Sequence, residues 1–515
     1  MGLFSRIRRL LLKARSPAPV PIGDDRGGRP IRARYDAAQQ GGMNENHWAA
    51  ADALDADSAH SVAVRRRLVQ RSRYETGNNG YMKGTQRSIS NFVIGRGPKL
   101  RMLTGDPVFN RLVEAGWESW AKETKLASKL RTARKVKFAD GEAFLVVRTN
   151  PALADSVSKV KLDVVGVECE RVTSPGLMPA KENRIDGIDF DEWGNPAFYH
   201  ILRYSPGGMF PFGGLAGKED LVPARFVVHL FTSERWEHRG VPECTSTLNL
   251  SAISRRYREA VVVAAENLAN FSLLLRTQGC PNEGPPVPVT AMASLPIDKG
   301  MMTGLPLGYD VTQPRAEQPP ATYPEFIHSQ IAEQVRPAGL SYGMAACDSS
   351  GYSFSAAKLD NTTFFEGTVE VDQADLEEQA LDPIFYLWFA EANQLEGWNV
   401  PASPAAHGWD WPAKPEIDEL KAADARAREL AFGTATLTRV YAQRGLDFED
   451  ELPILAKDYG ITVDEMRARL LEVILSVKAA PAPPAQPEEP DEPPPPSRRN
   501  GSRANGRNRL PVGAS

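Results

Sequence analysis

Cysteine is scarce: Cys169, Cys244, Cys280 and Cys347 are the only four among 515 residues. They lie far apart, with no CxxC pair and no histidine at ligand spacing beside them. Neither a zinc site nor a disulfide framework is expected, and the thiols read as reduced. The seven histidines form no HExxH or HxH pattern, so they point to no metal. GxxxxGK[ST] does not occur, which disfavours an ATP-driven motor, and Gly95-Arg96-Gly97 lacks the third glycine of a dinucleotide loop. No cofactor is expected. No apolar run approaches the roughly 20 residues that span a bilayer, so no membrane association through a spanning helix is expected. Nor does one charge dominate: 61 Lys and Arg against 65 Asp and Glu leave −4. A protein that coats nucleic acid would be basic, so any DNA contact here has to be local or loose.

What is present is an average globular composition, 42% hydrophobic and 24% charged, in a chain long enough for roughly two to four domains. The N-terminal stretch MGLFSRIRRLLLKARS interleaves Leu3, Phe4, Ile7, Leu10 and Leu11 with Arg6, Arg8, Arg9, Lys13 and Arg15. A surface anchor and a targeting peptide are both readings of it. Its leucine run is too short and interrupted for a secretory core, no small-residue cleavage site follows, and Arg6 stands where a myristoylation signal needs Ser or Thr. A basic arm that docks on protein or stays mobile is the expectation, followed by a Pro- and Gly-rich linker over 16–35.

Two polar, basic helices are expected between Asp52 and Asn91, broken at Gly77-Asn78-Asn79-Gly80, and a third over 107–132, where Phe109, Leu112, Val113, Trp117 and Trp120 recur at helical spacing. The period then changes. Short stretches rich in Val, Ile, Phe and Tyr at 145–150, 160–169, 185–190, 197–204 and 224–230 read as strands, with a turn at Trp193-Gly194-Asn195-Pro196. A long helix begins near Thr245, its stripe running through Ile253, Tyr257, Val261, Ala264, Leu268, Phe271 and Leu275. It stops at Gly279-Cys280-Pro281, ahead of a loop-rich β module, and helix resumes over 322–335. A glycine- and serine-bearing loop then leads into a long helical run over 356–396, kinked at Pro383. Further helices are expected near 417–433 and from a capping box at Thr462 and Glu465. The Pro-rich tail after Lys478 cannot bury enough apolar surface to order itself.

Three motifs carry a possible chemistry. Gly339-Leu340-Ser341-Tyr342-Gly343 matches GxSxG, but a nucleophile elbow needs a strand just ahead of the serine, and the segment ahead reads as helix. A turn is the simpler reading, with a serine hydrolase or protease built on Ser341 as the alternative. The helix bearing Arg65, Arg66, Arg67, Arg71 and Arg73 is either a solvated or subunit-facing charge run or the DNA face of an adaptor protein. Arg255, Arg256 and Arg258 flank the apolar stripe of the long helix and serve either interhelical salt bridges or a channel. Asp140-Gly141 and Asp186-Gly187 read as turns.

Taken in order, several stretches resemble the lambda-type family of tailed-phage portal proteins. They are Arg34-Tyr35-Asp36-Ala37-Ala38; RSRYETGNNGYMKGTQRSISNFVIGRGPKL; Val222-Pro223-Ala224 with His229, then Arg239-Gly240-Val241-Pro242; GMMTGLPLGYDV; Tyr323 to Phe326; and GLSYGMAACDSSGYSFSAAK over 339–358. The last stretch departs from the family, which more usually reads Gly-Asp and then Asn-Tyr-Ser-Ser where this chain has Cys347-Asp348 and Tyr352-Ser353-Phe354-Ser355.

The resemblance implies an α+β portal fold: a mixed wing, long stem helices, a small loop-rich clip and a helical C-terminal crown. Mapped onto this chain it gives a basic arm and linker at 1–34, wing at 35–244, stem helix at 245–278, clip at 279–321 and returning stem helix at 322–338. A tunnel-loop region at 339–358, a long kinked helix with the rest of the wing at 359–414, the crown at 415–478 and a tail at 479–515 complete it. The resemblance further implies a non-enzymatic homo-oligomeric ring of about a dozen copies, a homododecamer, at one capsid vertex. Double-stranded DNA would pass non-specifically through its axis during packaging and ejection. The terminase large subunit, major capsid and scaffold proteins, and head-completion or adaptor proteins would be its partners, with assembly in the host bacterial cytoplasm. Ser349, Ser350, Tyr352 and Lys358 are then candidates for proximity to DNA. Arg255, Arg256 and Arg258 are candidates for the channel or the subunit interface, and Ile253, Tyr257, Val261, Leu268, Phe271 and Leu275 for stem packing.

Overall fold

The computed structural model describes residues 50–479 apart from 154–157, 175–182, 208–217, 271–273, 278–308, 313–319, 399, 401–405, 413–418, 445 and 447. The basic arm, nearly all of the stretch expected as clip, and the Pro-rich tail lie outside the described residues. By contacts the chain divides into two units, Met1–Gly95 with Ser119–Pro404, and Arg96–Glu118 with Ala405–Ser515.

In the first unit, α1 (Val62–Asn78) and α2 (Gly80–Ile94) meet at Asn79, whose extended backbone ends one helix while its side chain accepts the Tyr81 amide at the start of the next. Between them and the strands come β1 (Lys99–Met102), α3 (Pro107–Glu123) and α4 (Leu126–Asp140). The single helix expected over 107–132 is two, because Lys125 adopts φ 55 between α3 and α4. β2 (Glu142–Thr149) is the centre of an antiparallel sheet, flanked by β3 (Leu162–Val167) and, later in the chain, β8 (Val227–Phe231). Its first four residues are all buried, as a strand covered on both faces requires. The strands β4 (Arg184–Ile185), β5 (Ile188–Phe190), β6 (Pro196–Leu202) and β7 (Glu219–Pro223) form a second antiparallel sheet in sequence order. Val69, Phe144, Val172, Ile188, Tyr199 and Ile201 make the apolar core shared by α1 and these strands.

α5 (Leu248–Asn270) follows a 3-10 turn at Thr245–Thr247. It is shorter than the helix expected to reach 278, since the backbone is already a strand, β9 (Leu274–Thr277), at Leu275. β9 pairs antiparallel with β10 (Tyr309–Thr312), so the chain that leaves at 277 returns beside itself at 309. α6 (Tyr323–Val335) comes next, then the short α7 (Tyr342–Ala346). α8 (Phe354–Phe364), α9 (Glu370–Leu376) and α10 (Asp382–Glu396) form one helical run joined by π-helical turns at Phe365–Val369 and Glu377–Leu381. Pro383 sits in the first turn of α10, directly after a π-helical turn. The wider turn accommodates a residue that can neither donate an amide nor fit against the carbonyl four residues back.

The second unit pairs β1 with β11 (His407–Asp410), strands some 300 residues apart in sequence. Trp117 packs on Trp409 with ring centroids 5.4 Å apart, and the Glu114 carboxylate accepts the Met102 amide at 2.6 Å. α11 (Glu419–Phe432), α12 (Leu437–Gln443), α13 (Phe448–Tyr459) and α14 (Val463–Ala479) complete it. Phe448, Leu452, Ala456 and Met466 form its apolar cluster. Thr462 and Glu465 cap α14 reciprocally, at 2.9 and 3.3 Å. Residues 96–118, placed by sequence inside 35–244, thus group with the C-terminal helices.

Candidate functional site

One side of the basic helix α1 is turned inward. Arg65 is buried, and its guanidinium lies 3.2 Å from Glu142 Oε1 and also pairs with Asp186. Arg239, equally buried, donates to Glu142 at 2.7 and 2.8 Å and to the Val172 carbonyl at 3.0 Å. His229 Nε2 completes the cluster, 3.1 Å from Glu142 Oε2. Burial alone would raise the Glu142 carboxyl, but the two arginines and the hydrogen bonds from His229 and Arg239 hold it well below the usual range. Burial, with the neighbouring Arg239 charge, pushes Arg65 down to about 10, and burial also lowers His229. Arg73 grips Asp140 at 2.7 and 2.8 Å and reaches Glu170 at 3.0 Å. Arg65 and Arg73 are spent on buried carboxylates and Arg66 lies 3.4 Å from Thr173 Oγ1, while Arg67 and Arg71 are exposed, which favours the structural reading of α1 over a DNA face. Of the two aspartates read as turn residues, Asp186 sits at a turn and Asp140 is instead the last residue of α4, and both anchor these pairs. A second cluster joins α4 to α9, with Arg134 on Asp372 and Glu243 at 2.7 and 2.9 Å and Lys137 on Asp372 at 3.0 Å.

The arginines of α5 divide in the same way. Arg255 reaches back to the buried Glu75 at 3.1 Å and lies over the Tyr74 ring, while Arg258 donates to Asn79 at 3.2 Å and lies over Tyr81. Both brace α5 against the junction of α1 and α2. Arg256 is exposed.

The apolar stripe splits too. Tyr257 meets Tyr323 and Phe326 of α6, at ring centroids of 6.1 and 5.3 Å, and Val261 is buried. Ile253, by contrast, is 55% exposed and shares its side of the helix with Arg256, Ala260 and Val263. Steps of four residues drift by about 40° each on a 3.6-residue helix, so Ile253 and Val261 face differently. Leu268 and Phe271 lie where no side chain is described, and Leu275 belongs to β9, not to the helix.

In the loop between α6 and α8, Ser341 follows a helix and a 3-10 turn at Arg336–Ala338, so the strand that a nucleophile elbow requires is missing. The motif has a packing explanation instead. Gly339 adopts φ 71, and a Cβ there would strike the Thr368 side chain; a Cβ on Gly343 would overlap the Tyr352 ring. Tyr352 accepts the Gly343 amide at 3.0 Å and donates to Asp360 at 2.8 Å, with Ser341 Oγ 3.2 Å away. Tyr352 is thus the clamp of the loop. Cys347, exposed, adopts φ 53, a conformation that favours glycine. Ser349, Ser350 and Lys358 are exposed. Among the described residues, no three His, Cys, Asp or Glu side chains gather as a metal site, and no helix is long and apolar enough to cross a membrane.

The model of the family described as phage portal protein, lambda family, matches residues 42–369 of this chain. The chain belongs to that family. The match to this portal protein takes in the Glu142 cluster, α5, α6 and the Tyr352 loop, and ends with the first π-helical turn. Its similarity to the probable portal protein of Halomonas phage phiHAP-1 runs at 22% identity over 505 residues, 89% of this chain and 92% of the relative. Among solved structures it resembles a chain in the virion of a native gene transfer agent particle, at 14% identity and TM-score 0.43, covering 74% of this chain and 93% of that one. A chain in the neck of an empty gene transfer agent particle gives 14% identity and TM-score 0.44, with 74% and 94% covered.

Proposed function

We propose that this portal protein assembles into a ring of about a dozen copies at one capsid vertex. There it passes double-stranded DNA inward and outward, docks the terminase large subunit during packaging, and later receives head-completion proteins. Membership of the portal family carries this reading. In it, 35–244 and 359–414 form the wing, α5 and α6 the stem, 279–321 the clip and 415–478 the crown. The antiparallel pairing of β9 with β10 supports a clip that closes on itself at its base. The outward side of α5, with Ile253, Arg256 and Val263 exposed, supports contact with a neighbouring stem.

Ser349, Ser350 and Lys358 face DNA in the tunnel, while Tyr352 holds the loop that presents them. The protein works without turnover of its own, and its near-neutral charge of −4 suits a conduit. A basic lining would bind phosphates through counterion release and hold the duplex it has to let slide.

Native mass spectrometry and negative-stain averages of the purified protein, without DNA or nucleotide, test the proposal. Rings with a central hole are expected. A stable monomer that reacts with a serine-directed probe at Ser341 would overturn it in favour of a hydrolase.

A further inference from the structure

Two tryptophans of the first unit are almost wholly exposed, Trp193 at 87% and Trp236 at 93%. Trp236 is held there at a cost. Its backbone adopts φ 65, a conformation that a bulky side chain rarely takes and that persists only where the surroundings impose it. The buried Glu237 carboxylate imposes it, accepting the Glu234 and Arg235 amides at 2.8 and 2.6 Å. On the far side of the turn, Arg239 is locked into the Glu142 cluster, and His238 donates its amide to Asp57 at 3.0 Å. Trp193 tips the turn between β5 and β6. That turn meets the Trp236 loop where the Phe190 ring lies 4.6 Å from the His238 ring. Leu54, 48% exposed, adjoins the same loop through the bond from Arg235 to its carbonyl. Around these apolar groups stand the exposed carboxylates of Asp52, Asp55, Asp191, Glu192 and Glu234, with Arg235 as an exposed cation among them.

We infer that this aromatic, acid-rimmed surface is the dock for the chain's own basic arm, residues 1–16. Residue 50, where the described chain begins, lies two positions before Asp52 of the acidic rim, so the arm is tethered to this surface through the intervening chain. Residues 17–49, beginning with the Pro- and Gly-rich linker, separate residue 50 from the arm and reach about 100 Å when extended, ample for the arm to fold back. The arm carries what the surface lacks. Leu3, Phe4, Ile7, Leu10 and Leu11 offer an apolar side for the indoles, and Arg6, Arg8, Arg9, Lys13 and Arg15 match the acidic rim and stack on aromatic faces. Tethering makes the event intramolecular, so modest contacts suffice.

Limited trypsin digestion of the full-length protein, with the first cuts at Arg6, Arg8, Arg9, Lys13 and Arg15 followed by mass spectrometry, tests this. Trp236→Gly removes the indole where glycine fits the backbone, so the melting temperature should hold or rise while cutting in the arm accelerates about tenfold. Trp193→Ala should accelerate it less. The double change Leu10→Asp, Leu11→Asp should match Trp236→Gly, and combining them should add nothing further. Equal cutting rates in wild type and Trp236→Gly would overturn the inference. So would protection that fades on dilution, which would place a second copy on the surface.

Discussion

The first unit holds two kinds of polar group, charges buried around Glu142 and Asp372 and side chains exposed in the loop at 347–353, and the contrast separates residues that build this protein from residues left to meet something else. Around Glu142 and Asp372, carboxylates and guanidiniums are buried and paired with one another. In the loop at 347–353, Ser349 and Ser350 are exposed, while Tyr352 is tied to Gly343, Ser341 and Asp360, Asp348 accepts the Ser350 amide and Ser353 caps α8. Buried charge of this kind is costly to break, because removing one partner strands the other in a medium that solvates it poorly. Exposed groups without internal partners contribute little to stability and are free to act on DNA or protein. The second unit is joined by apolar packing, a two-strand pairing and a capped helix, and responds to substitution on a smaller scale.

The contrast is sharpest at Glu142. Glu142→Ala leaves Arg65 and Arg239 buried with one carboxylate fewer, and should cost about 3–5 kcal/mol in urea-induced unfolding; an effect below about 1 kcal/mol would remove the distinction drawn here. Acid should reveal the same cluster. Burial and its neighbours lower His229, so the folded state resists its protonation, and stability should begin to fall as pH drops below the unfolded value of 6.5. Glu142 is held below its ordinary 4.5, so its contribution is complete above that value and is lost as pH falls further. A pH series of melting temperatures on wild type and His229→Phe should show the first decline only in the wild type.

Tyr352→Phe should cost about 1–3 kcal/mol by leaving the Gly343 amide without its acceptor, read by thermal unfolding and by faster hydrogen exchange at 341–353. In the second unit, Thr462→Ala should cost about 1 kcal/mol through loss of the α14 cap, seen as a small shift in melting temperature. Smallest of all, alanine at Ser349, Ser350 and Lys358 together should leave stability within about 0.5 kcal/mol. Its effect should appear in DNA packaging instead. If stability falls as it does for Tyr352→Phe, these residues belong to the scaffold.

Local features were legible in the sequence because they depend on near neighbours. The helix break at Asn79, the short strands, the helix over 323–335 and the Thr462 capping box follow from spacing and capping chemistry over three or four residues. The family was legible too, in the order of motifs from Arg34 to Lys358. The roles of single residues were not. Arg65 and Arg71 look alike in a basic run, and only a carboxylate 77 positions away, Glu142, sets them apart. Tyr352 reads in the sequence as a candidate for DNA, and its bonds to Ser341 and Gly343 become visible only in the fold. Ile253 and Val261 share a stripe on paper and different sides on a real helix.

The sequence by itself therefore determined the portal family and the alternation of helix and strand, because each rests on local backbone preference or motif order. Tertiary structure alone decided which arginines are buried, that β1 joins β11 across about 300 residues, and that Trp236 is held out at a left-handed turn. Those outcomes depend on which distant groups share a low-dielectric interior, and one-dimensional spacing carries no measure of that.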